Sequence, residues 1–175
     1  MNHSQINLSQ IGKLDIGYLP TPQATVEAML SLANARESDI LYDLGSGDGR
    51  VLITAAQRFG TRGVGIDIDP QRICQAIANA KRANVSDRVT FLQQNLFESE
   101  FYEATIVVLY LLPHLNLRLR PQLLQLKPGT RILSHDFDLG NWEPHQVQVV
   151  ETLEESATIY LWVVPDEIPD YLRSP

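Results

Sequence analysis

Apolar and polar residues alternate along this chain in a pattern that predicts strands separated by helices. Between successive apolar runs, apolar residues recur at helical spacing, most clearly over residues 51–59 and 70–83. A repeated order of strand, helix and strand predicts a parallel sheet with helices on both faces. The strand-length apolar runs of this first part lie at residues 40–44, 63–68, 89–93 and 104–111.

The last third of the chain predicts a different arrangement. After a helix at 115–126 and a fifth strand at 131–135, residues 147–150 and 158–164 have the composition and length of strands. The connection between these two is too short for a parallel crossover, so they should pair as an antiparallel hairpin. Segment 136–145 is also short for a crossover helix, so either that helix is reduced to a turn or the strand limits differ. We therefore expect a Rossmann-like, doubly wound α/β fold with a mostly parallel seven-stranded sheet and a C-terminal antiparallel hairpin.

The length of 175 residues suits a single domain of ordinary size. Residues 1–17 are polar and without periodicity, which predicts a flexible N-terminal arm. The domain should span residues 18–164, followed by a loosely held C-terminal tail at 165–175. Its first helix should begin with Thr21 as the N-cap and Pro22 as the first helical residue.

The stretch ILYDLGSGDGR, from Ile40 to Arg50, combines a buried strand, a glycine-rich turn and the start of a helix. Glycine has no Cβ, so such a turn lets the backbone approach a ligand closely. The helix N-terminus that follows presents N–H groups and a partial positive charge, which suit a carboxylate or a phosphate. This stretch therefore predicts a pocket for a nucleotide-like ligand.

Composition narrows the class of protein. A net charge of −7 and an isoelectric point near 5.0 argue against a protein that binds nucleic acid by neutralising many phosphates. The single cysteine, Cys74, excludes an internal disulfide and a CxxC pair. The longest apolar run is too short to span a bilayer, and the N-terminus lacks the apolar segment of a secretion signal. We expect a soluble, cytoplasmic protein.

Two acidic residues and the glycine spacing indicate which nucleotide is bound. Asp67 closes the second strand, where a carboxylate can accept hydrogen bonds from both hydroxyls of a ribose. The turn has the spacing GxGxG, whereas the dinucleotide fingerprint is GxGxxG. Asp48, inside the turn, is unfavourable beside a pyrophosphate but acceptable beside an ammonium group. These features disfavour an NAD-dependent oxidoreductase and favour S-adenosylmethionine (SAM), and the terminal hairpin supports the same interpretation.

Three stretches in this order, DLGSGDGR, GVGIDIDP and VTFLQQNLF, resemble motifs I, II and III of the class I SAM-dependent methyltransferases. The resemblance spans roughly residues 18–164. A closer resemblance rests on YLPTP, YLLP, KPGTRILSH and NWEP. With these stretches the chain is similar to the small protein-lysine N-methyltransferases typified by the mitochondrial enzymes that modify an ATP synthase subunit or the adenine nucleotide translocase.

The resemblance implies SAM as the methyl donor and assigns roles in its binding. Asp67 would hold the ribose, Ile68 would flank the adenine, and Asn95 would read the adenine amino group. Tyr18 and Thr21 would close over the methionine end. The SAM-binding residues implied in this way are Tyr18, Thr21, Asp43, Gly45, Ser46, Gly47, Asp48, Asp67, Ile68, Asn95 and Leu96.

The resemblance also implies a protein acceptor, above all a lysine amine. Tyr110 would stand at the mouth of the pocket and position the acceptor, and His114 is the second candidate for a catalytic role. His135 and Asp136 could form an acid–base pair, or His135 could be structural. The histidines are not spaced as a metal-binding pair, so no metal is expected. Two other functions stay open, namely a SAM-binding regulatory module without catalysis and a methyltransferase for small molecules.

Overall fold

The computed structural model describes residues 19–173, so the predicted N-terminal arm, Tyr18 and residues 174–175 lie outside the described part. The helices are α1 (Gln23–Leu32), α2 (Arg50–Phe59), α3 (Pro70–Arg82), α4 (Pro113–Leu123) and α5 (Asp170–Arg173), with a 3-10 turn at Leu96–Glu98. The strands are β1 (Ile40–Leu44), β2 (Arg62–Asp67), β3 (Val89–Gln93), β4 (Ile106–Leu109), β5 (Arg131–His135), β6 (Gln146–Glu151) and β7 (Ser156–Val163).

The strands form one seven-stranded sheet in the order β3-β2-β1-β4-β5-β7-β6. The central strand β1 pairs in parallel with β2 on one side and with β4 on the other. The strand β7 pairs antiparallel with both β5 and β6. The predicted mostly parallel sheet with a C-terminal antiparallel hairpin is confirmed. Its strand order reverses between β1 and β4, which is where open α/β sheets bind their ligands.

The core consists of two apolar layers, one on each face of the sheet. Ile106 and Val108 of β4 pack with α1, α2 and α3, whereas Val107 and Leu109 pack with α4 on the opposite face. All four side chains are almost inaccessible to solvent. A strand covered on both faces needs apolar residues at every position, which explains the continuous apolar run in the sequence.

The limits of β4 and α4 differ from the prediction. β4 ends at Leu109 rather than at residue 111, and α4 begins at Pro113 rather than at residue 115. Leu111 is nevertheless buried, because it packs against the glycine turn next to Gly45. The apolar run therefore continues beyond the strand into the wall of a pocket. The start at Pro113 follows from the preference of proline for the first turn of a helix.

The start of α1 also corrects a prediction. Pro22 is the N-cap and Gln23 the first helical residue, so the prediction that Thr21 caps the helix is wrong. The hydroxyl of Thr21 instead lies 3.0 Å from Nδ1 of His135. This contact fixes the segment before α1 to the end of β5.

Two parts of the C-terminal region, segment 136–145 and the chain after β7, bear on expectations from the sequence. Segment 136–145 contains a turn and no helix. The indole N–H of Trp162 donates a hydrogen bond to the carbonyl of Trp142 in this segment at 2.8 Å. In the segment predicted to be a loosely held tail, Leu172 of α5 is buried in the core. Within residues 19–173, no helix has the length and apolar character needed to cross a membrane.

Candidate active site

A cleft opens at the carboxyl ends of β1, β2 and β4, where the strand order reverses. Its volume is about 1220 Å³ when the open mouth is included. The cleft brings together every predicted SAM-binding residue of the described chain. These residues are Thr21, Asp43, Gly45, Ser46, Gly47, Asp48, Asp67, Ile68, Asn95 and Leu96.

The glycine turn is fixed to the neighbouring strand by backbone hydrogen bonds. The N–H groups of Gly45 and Ser46 both donate to the carbonyl of Ile66, at 2.8 and 3.0 Å. A Cβ at Gly65 would lie only 2.7 Å from Cβ of Ser46, so β2 and the turn can approach only because residue 65 is glycine. The hydroxyl oxygen of Ser46 is buried and has no hydrogen-bond partner within residues 19–173. Buried polar atoms without a partner are uncommon in folded proteins.

Asp67 is held in place at the end of β2. Its Oδ2 accepts from the N–H of Gly47 and its Oδ1 accepts from the N–H of Asp69, both at 2.9 Å. The side chain is buried. Each carboxylate oxygen has more than one acceptor site, so both can still accept a hydroxyl proton. The geometry therefore suits the two hydroxyls of a ribose.

Asp43 is the most perturbed acid of the cleft. Burial, together with the negative charges of Asp67 and Asp48, raises the pKa of its carboxyl to about 7. A neighbouring cation would favour the ionised form and reverse this effect. The surroundings of Asp43 therefore favour a ligand that carries a positive charge.

Asp48 has a partner of its own. Its Oδ2 lies 2.6 Å from Nη2 of Arg50, and Nη1 of the same arginine donates to the carbonyl of Thr21 at 3.0 Å. Arg50 thus joins the glycine turn to the segment before α1. Because Asp48 shares its charge with Arg50, the contacts favour Asp43 over Asp48 as the group that would balance an ammonium.

Asn95, Phe97 and Arg118 line the part of the cleft that is predicted to bind adenine. Asn95 caps the 3-10 turn, since its Oδ1 accepts from the N–H of Phe97 at 3.0 Å. The side-chain amide group of Asn95 can then donate as well as accept at the cleft. Arg118 lies over the ring of Phe97 at 4.0 Å from its centroid, and both residues line the cleft. With Ile68, these groups enclose the site predicted for adenine.

The mouth of the cleft is formed by Tyr110 and the segment before α1. Tyr110 is half-buried, and its ring stacks on the imidazole of His135 with centroids 3.9 Å apart and planes inclined by 24°. Burial raises the pKa of the Tyr110 hydroxyl, and the charges of Asp136 and Glu155 raise it further. Tyr110 lines the cleft, and its role in positioning the acceptor stays a prediction.

The two histidines considered from the sequence have different surroundings. His114 is exposed in the first turn of α4 and is not among the residues that line the cleft. His135 is completely buried beneath Tyr110, with its Nε2 3.6 Å from Oδ2 of Asp136. The structure therefore brings His135 and Asp136 together but keeps the imidazole out of the cleft wall, and it leaves His114 outside the cleft lining.

Several residues of the cleft were not predicted from the sequence. Arg50, Arg72 and Arg118 line it, as do Phe97 and Leu115. Arg50 could have been predicted, because it follows the glycine turn directly. Arg118 and Leu115 come from α4, whose approach to the cleft depends on the packing of the sheet.

The residues of the cleft fit SAM by their chemistry. Asp67 provides acceptors for ribose hydroxyls, and Asp43 favours a positive charge. A family model described as the ANTKMT methyltransferase domain matches residues 43–146, which is more than half of the chain. The chain belongs to the ANTKMT methyltransferase family. The resemblance to the protein-lysine methyltransferases that the sequence motifs indicated is thereby confirmed.

Two relatives of this methyltransferase illustrate the family. The protein-lysine N-methyltransferase of Saccharolobus islandicus (strain REY15A) is 42% identical over 151 residues, which cover 85% of this chain and 94% of the relative. The adenine nucleotide translocase lysine N-methyltransferase of Mus musculus is 30% identical over 75% of this chain. The chain spans only 58% of that second relative's length.

Solved structures support the same fold and cofactor. One solved structure is an RNA methyltransferase from Salinibacter ruber in complex with S-adenosyl-L-homocysteine (SAH), which is 53% identical in sequence and has a TM-score of 0.82. The match covers 87% of this chain and 97% of that chain. A SAM-dependent methyltransferase from Geobacter sulfurreducens, also with SAH, is 25% identical with a TM-score of 0.57 over 83% of this chain and 59% of its own. The predicted SAM-dependent methyltransferase activity and the cofactor are confirmed.

Proposed function

We propose that this methyltransferase transfers the methyl group of SAM to the side-chain amine of a lysine in a protein. The observation that carries the proposal is the similarity to the protein-lysine N-methyltransferase of Saccharolobus islandicus, which extends over 94% of that enzyme. The match leaves only a small part of the relative without a counterpart in this chain. Whatever the relative uses to recognise its acceptor therefore lies almost entirely in sequence that this chain shares. Animal relatives that are also named lysine N-methyltransferases support the same acceptor class.

RNA is the second candidate acceptor, because the 53% identical structure from Salinibacter ruber is described as an RNA methyltransferase. Arg50, Arg72 and Arg118 line the cleft and could contact phosphates. However, Arg50 and Arg72 are paired with Asp48 and Asp69, and Arg118 lies on the ring of Phe97. A net charge of −7 also opposes binding of a polyanion. These charges favour a protein acceptor over RNA.

The residues of the cleft would hold the donor in a fixed orientation. SAM, when bound, supplies the methyl group from its sulfonium. Asp67 would accept the ribose hydroxyls, Asp43 would balance the ammonium, and Asn95 would bind the adenine edge. Good alignment of two reacting groups can lower a barrier by roughly 7 to 11 kcal/mol. The contribution of this chain would therefore be mainly positioning.

A lysine must lose a proton before its nitrogen can accept a methyl group. Removal of an amine from water lowers its pKa, because burial disfavours the charged form. The half-buried ring of Tyr110 provides an apolar surface at the mouth for this purpose. We propose no side chain as a general base, and His114 does not line the cleft where one would act.

Transfer of radioactive methyl groups tests the proposal. The protein is incubated with tritiated SAM and a cell extract, which is then divided between protease and nuclease treatment. Label that is released by protease and resists nuclease supports a protein acceptor. Label released by nuclease supports RNA, and tight binding of SAH without any transfer supports the regulatory module. The cytoplasmic location stays a prediction, which fluorescence microscopy of the tagged protein would check.

A further inference from the structure

We propose that His135 is a positioning residue for the methyl donor, because it holds the segment 19–21 in the wall of the cleft through the hydroxyl of Thr21. The inference concerns the binding of SAM and does not rest on the identity of the acceptor. His135 is completely buried and is not among the residues that line the cleft. Any effect of His135 on the ligand must therefore pass through the residues that it contacts.

The segment 19–21 forms part of the cleft wall but belongs to no helix or strand. Leu19, Pro20 and Thr21 all line the cleft, and α1 begins only at Gln23. Backbone groups in such a segment are not held by the regular hydrogen bonds of a helix or a sheet. The position of the segment therefore depends on individual contacts, and Thr21 makes two of them.

Thr21 is fixed at two atoms to two different parts of the fold. Its carbonyl accepts from Nη1 of Arg50 at 3.0 Å, and Arg50 is paired with Asp48 of the glycine turn. Its hydroxyl lies 3.0 Å from Nδ1 of His135, at the end of β5. A substitution at residue 21 leaves the carbonyl contact in place and changes only the contact of the side chain. The bond to His135 can therefore be tested separately from the bond to Arg50.

The surroundings of the imidazole favour one direction for this hydrogen bond. Oε1 of Glu155 lies 3.1 Å from Nε2 of His135, although the two are not aligned as a hydrogen bond. The same oxygen accepts from the hydroxyl of Thr25 at 2.8 Å, which keeps the carboxylate beside the ring. Because an ionised carboxylate offers only acceptors, it favours the neutral ring with its hydrogen on Nε2 and its lone pair on Nδ1. Nδ1 then accepts from the hydroxyl of Thr21.

His135 also supports a second residue of the cleft wall. The ring of Tyr110 stacks on the imidazole with centroids 3.9 Å apart. Thr21 and Tyr110 both line the cleft, so two parts of its wall contact the same buried ring. A closely packed interior leaves such a ring little room to move. His135 therefore sets the position of both parts relative to β5.

The segment 19–21 is connected to the part of the cleft assigned to the amino-acid end of SAM. Arg50 joins Thr21 to Asp48, and Asp43, which favours a positive charge, ends one residue before the same turn. The residues assigned to the ribose and the adenine lie at the ends of β2 and β3 instead. Loss of the bond between Thr21 and His135 should therefore weaken binding of the amino-acid part and leave the nucleoside part unaffected.

Calorimetry with SAH, and with adenosine, which lacks the homocysteine part, tests the inference. Thr21→Val replaces the hydroxyl with a methyl group of similar size, whereas Thr21→Ser keeps the hydroxyl. We expect the Kd for SAH to rise about fivefold in Thr21→Val and to stay within about twofold of the wild type in Thr21→Ser. The Kd for adenosine should stay within about twofold in both variants.

A matched pair of substitutions at residue 135 tests the other end of the bond. His135→Asn and His135→Leu both remove the imidazole and are similar in size, but only asparagine offers an oxygen that can accept from Thr21. We expect the Kd for SAH to be about fivefold higher in His135→Leu than in His135→Asn. When each is combined with Thr21→Val, the two should no longer differ, because no hydroxyl is left to donate.

Thr54→Val is the control for a general loosening of α1. The hydroxyl of Thr54 accepts from the side chain of Gln23, the first residue of α1, at 2.9 Å, and Thr54 does not line the cleft. Its Kd for SAH should therefore equal that of the wild type. The Thr21 variants keep the test decisive even if a variant at residue 135 does not fold.

Three results would overturn the inference. The first is a wild-type Kd for SAH in Thr21→Val. The second is an equal loss of adenosine binding in that variant, or an equal loss of SAH binding in Thr54→Val, since either would show a general structural effect. The third is the same SAH affinity in His135→Asn and His135→Leu, which would show that the hydroxyl of Thr21 acts without His135.

Discussion

The carboxylate of Asp67 accepts a hydrogen bond from the backbone N–H of Gly47 at 2.9 Å. This bond joins the two stretches that identify the family, because Gly47 belongs to the turn after β1 and Asp67 ends β2. Contacts within the chain therefore hold the two parts of the donor site together. The geometry of the donor site depends on contacts between the backbone and side chains. Mutation of these side chains can test ligand binding separately from folding.

Replacement of Asp67 should weaken binding of SAH. Asp67→Asn keeps an oxygen that can accept from Gly47, but it loses the charge and one acceptor for the ribose. We expect SAH affinity to fall at least about tenfold, since charged hydrogen bonds contribute roughly 1.5–3 kcal/mol each. Calorimetry with SAH measures the effect, and the exposed Asp87→Asn is the control. Unchanged affinity in Asp67→Asn would contradict the assigned ribose contact.

Asp43 should make the stability of the ligand-free protein depend on pH. The pKa of its carboxyl is about 7 in the folded protein and near 3.8 without the fold. Between these values the native state holds a proton that the unfolded chain has lost, so the free energy of unfolding falls as the pH rises from about 4 to about 7. The full loss is on the order of 4 kcal/mol.

Chemical denaturation at a series of pH values checks this expectation. Asp43→Asn should remove most of the decline, and it should be more stable than the wild type above about pH 7. The same variant should bind SAH weakly, because the ammonium loses its partner. A wild-type stability curve that rises from pH 4 to pH 7, or one that Asp43→Asn leaves unchanged, would show that Asp43 is ionised without a ligand.

Two glycines with nearly the same backbone conformation should tolerate alanine differently. Gly49 has φ +84° and Gly129 has φ +88°, so both substitutions strain the backbone by a similar amount, about 1–2 kcal/mol. A Cβ at Gly49 would also lie 2.7 Å from Cζ of Phe91, whereas a Cβ at Gly129 meets nothing within 4 Å. Gly49→Ala should therefore cost about 1–3 kcal/mol more than Gly129→Ala in urea unfolding. Equal costs would mean that Phe91 moves freely.

Asn95 should be replaceable by aspartate but not by alanine. Its Oδ1 caps the N–H of Phe97, and aspartate keeps this acceptor while adding another for the adenine amino group. We expect Asn95→Asp to bind SAH within about threefold of the wild type and Asn95→Ala to bind about tenfold more weakly. A strong loss in Asn95→Asp would instead identify the amide N–H of Asn95 as the group that contacts adenine.

Much of the fold could be predicted because local signals agreed with the sheet. The proline and glycine of KPGT predict a turn after α4, and the structure has Gly129 at positive φ with Thr130 N–H donating to the carbonyl of Lys127. The limits of β4 were too wide because an apolar run does not show where a strand ends and a pocket wall begins. Leu111 is the residue that shows this difference.

The glycine turn and its two acids could be predicted, whereas the contacts that fix the segment before α1 could not. Asp43, the glycine turn and Asp67 follow from one strand–turn–helix unit and the next strand, where sequence spacing fixes geometry. His135 contacts both Thr21 and Glu155. These contacts depend on the antiparallel pairing of β7 with β5. The spacing of these residues in the sequence does not predict that they are in contact.

The acceptor proposed for this methyltransferase is the side-chain amine of lysine in proteins. Mass spectrometry of peptides and digested RNA, from cells that overproduce the enzyme and from cells that lack it, tests the claim most directly. A protein-lysine methyltransferase should add new methyl groups to lysine nitrogens in the overproducing cells and leave RNA nucleosides unchanged. New methylated nucleosides with unchanged lysines would contradict it.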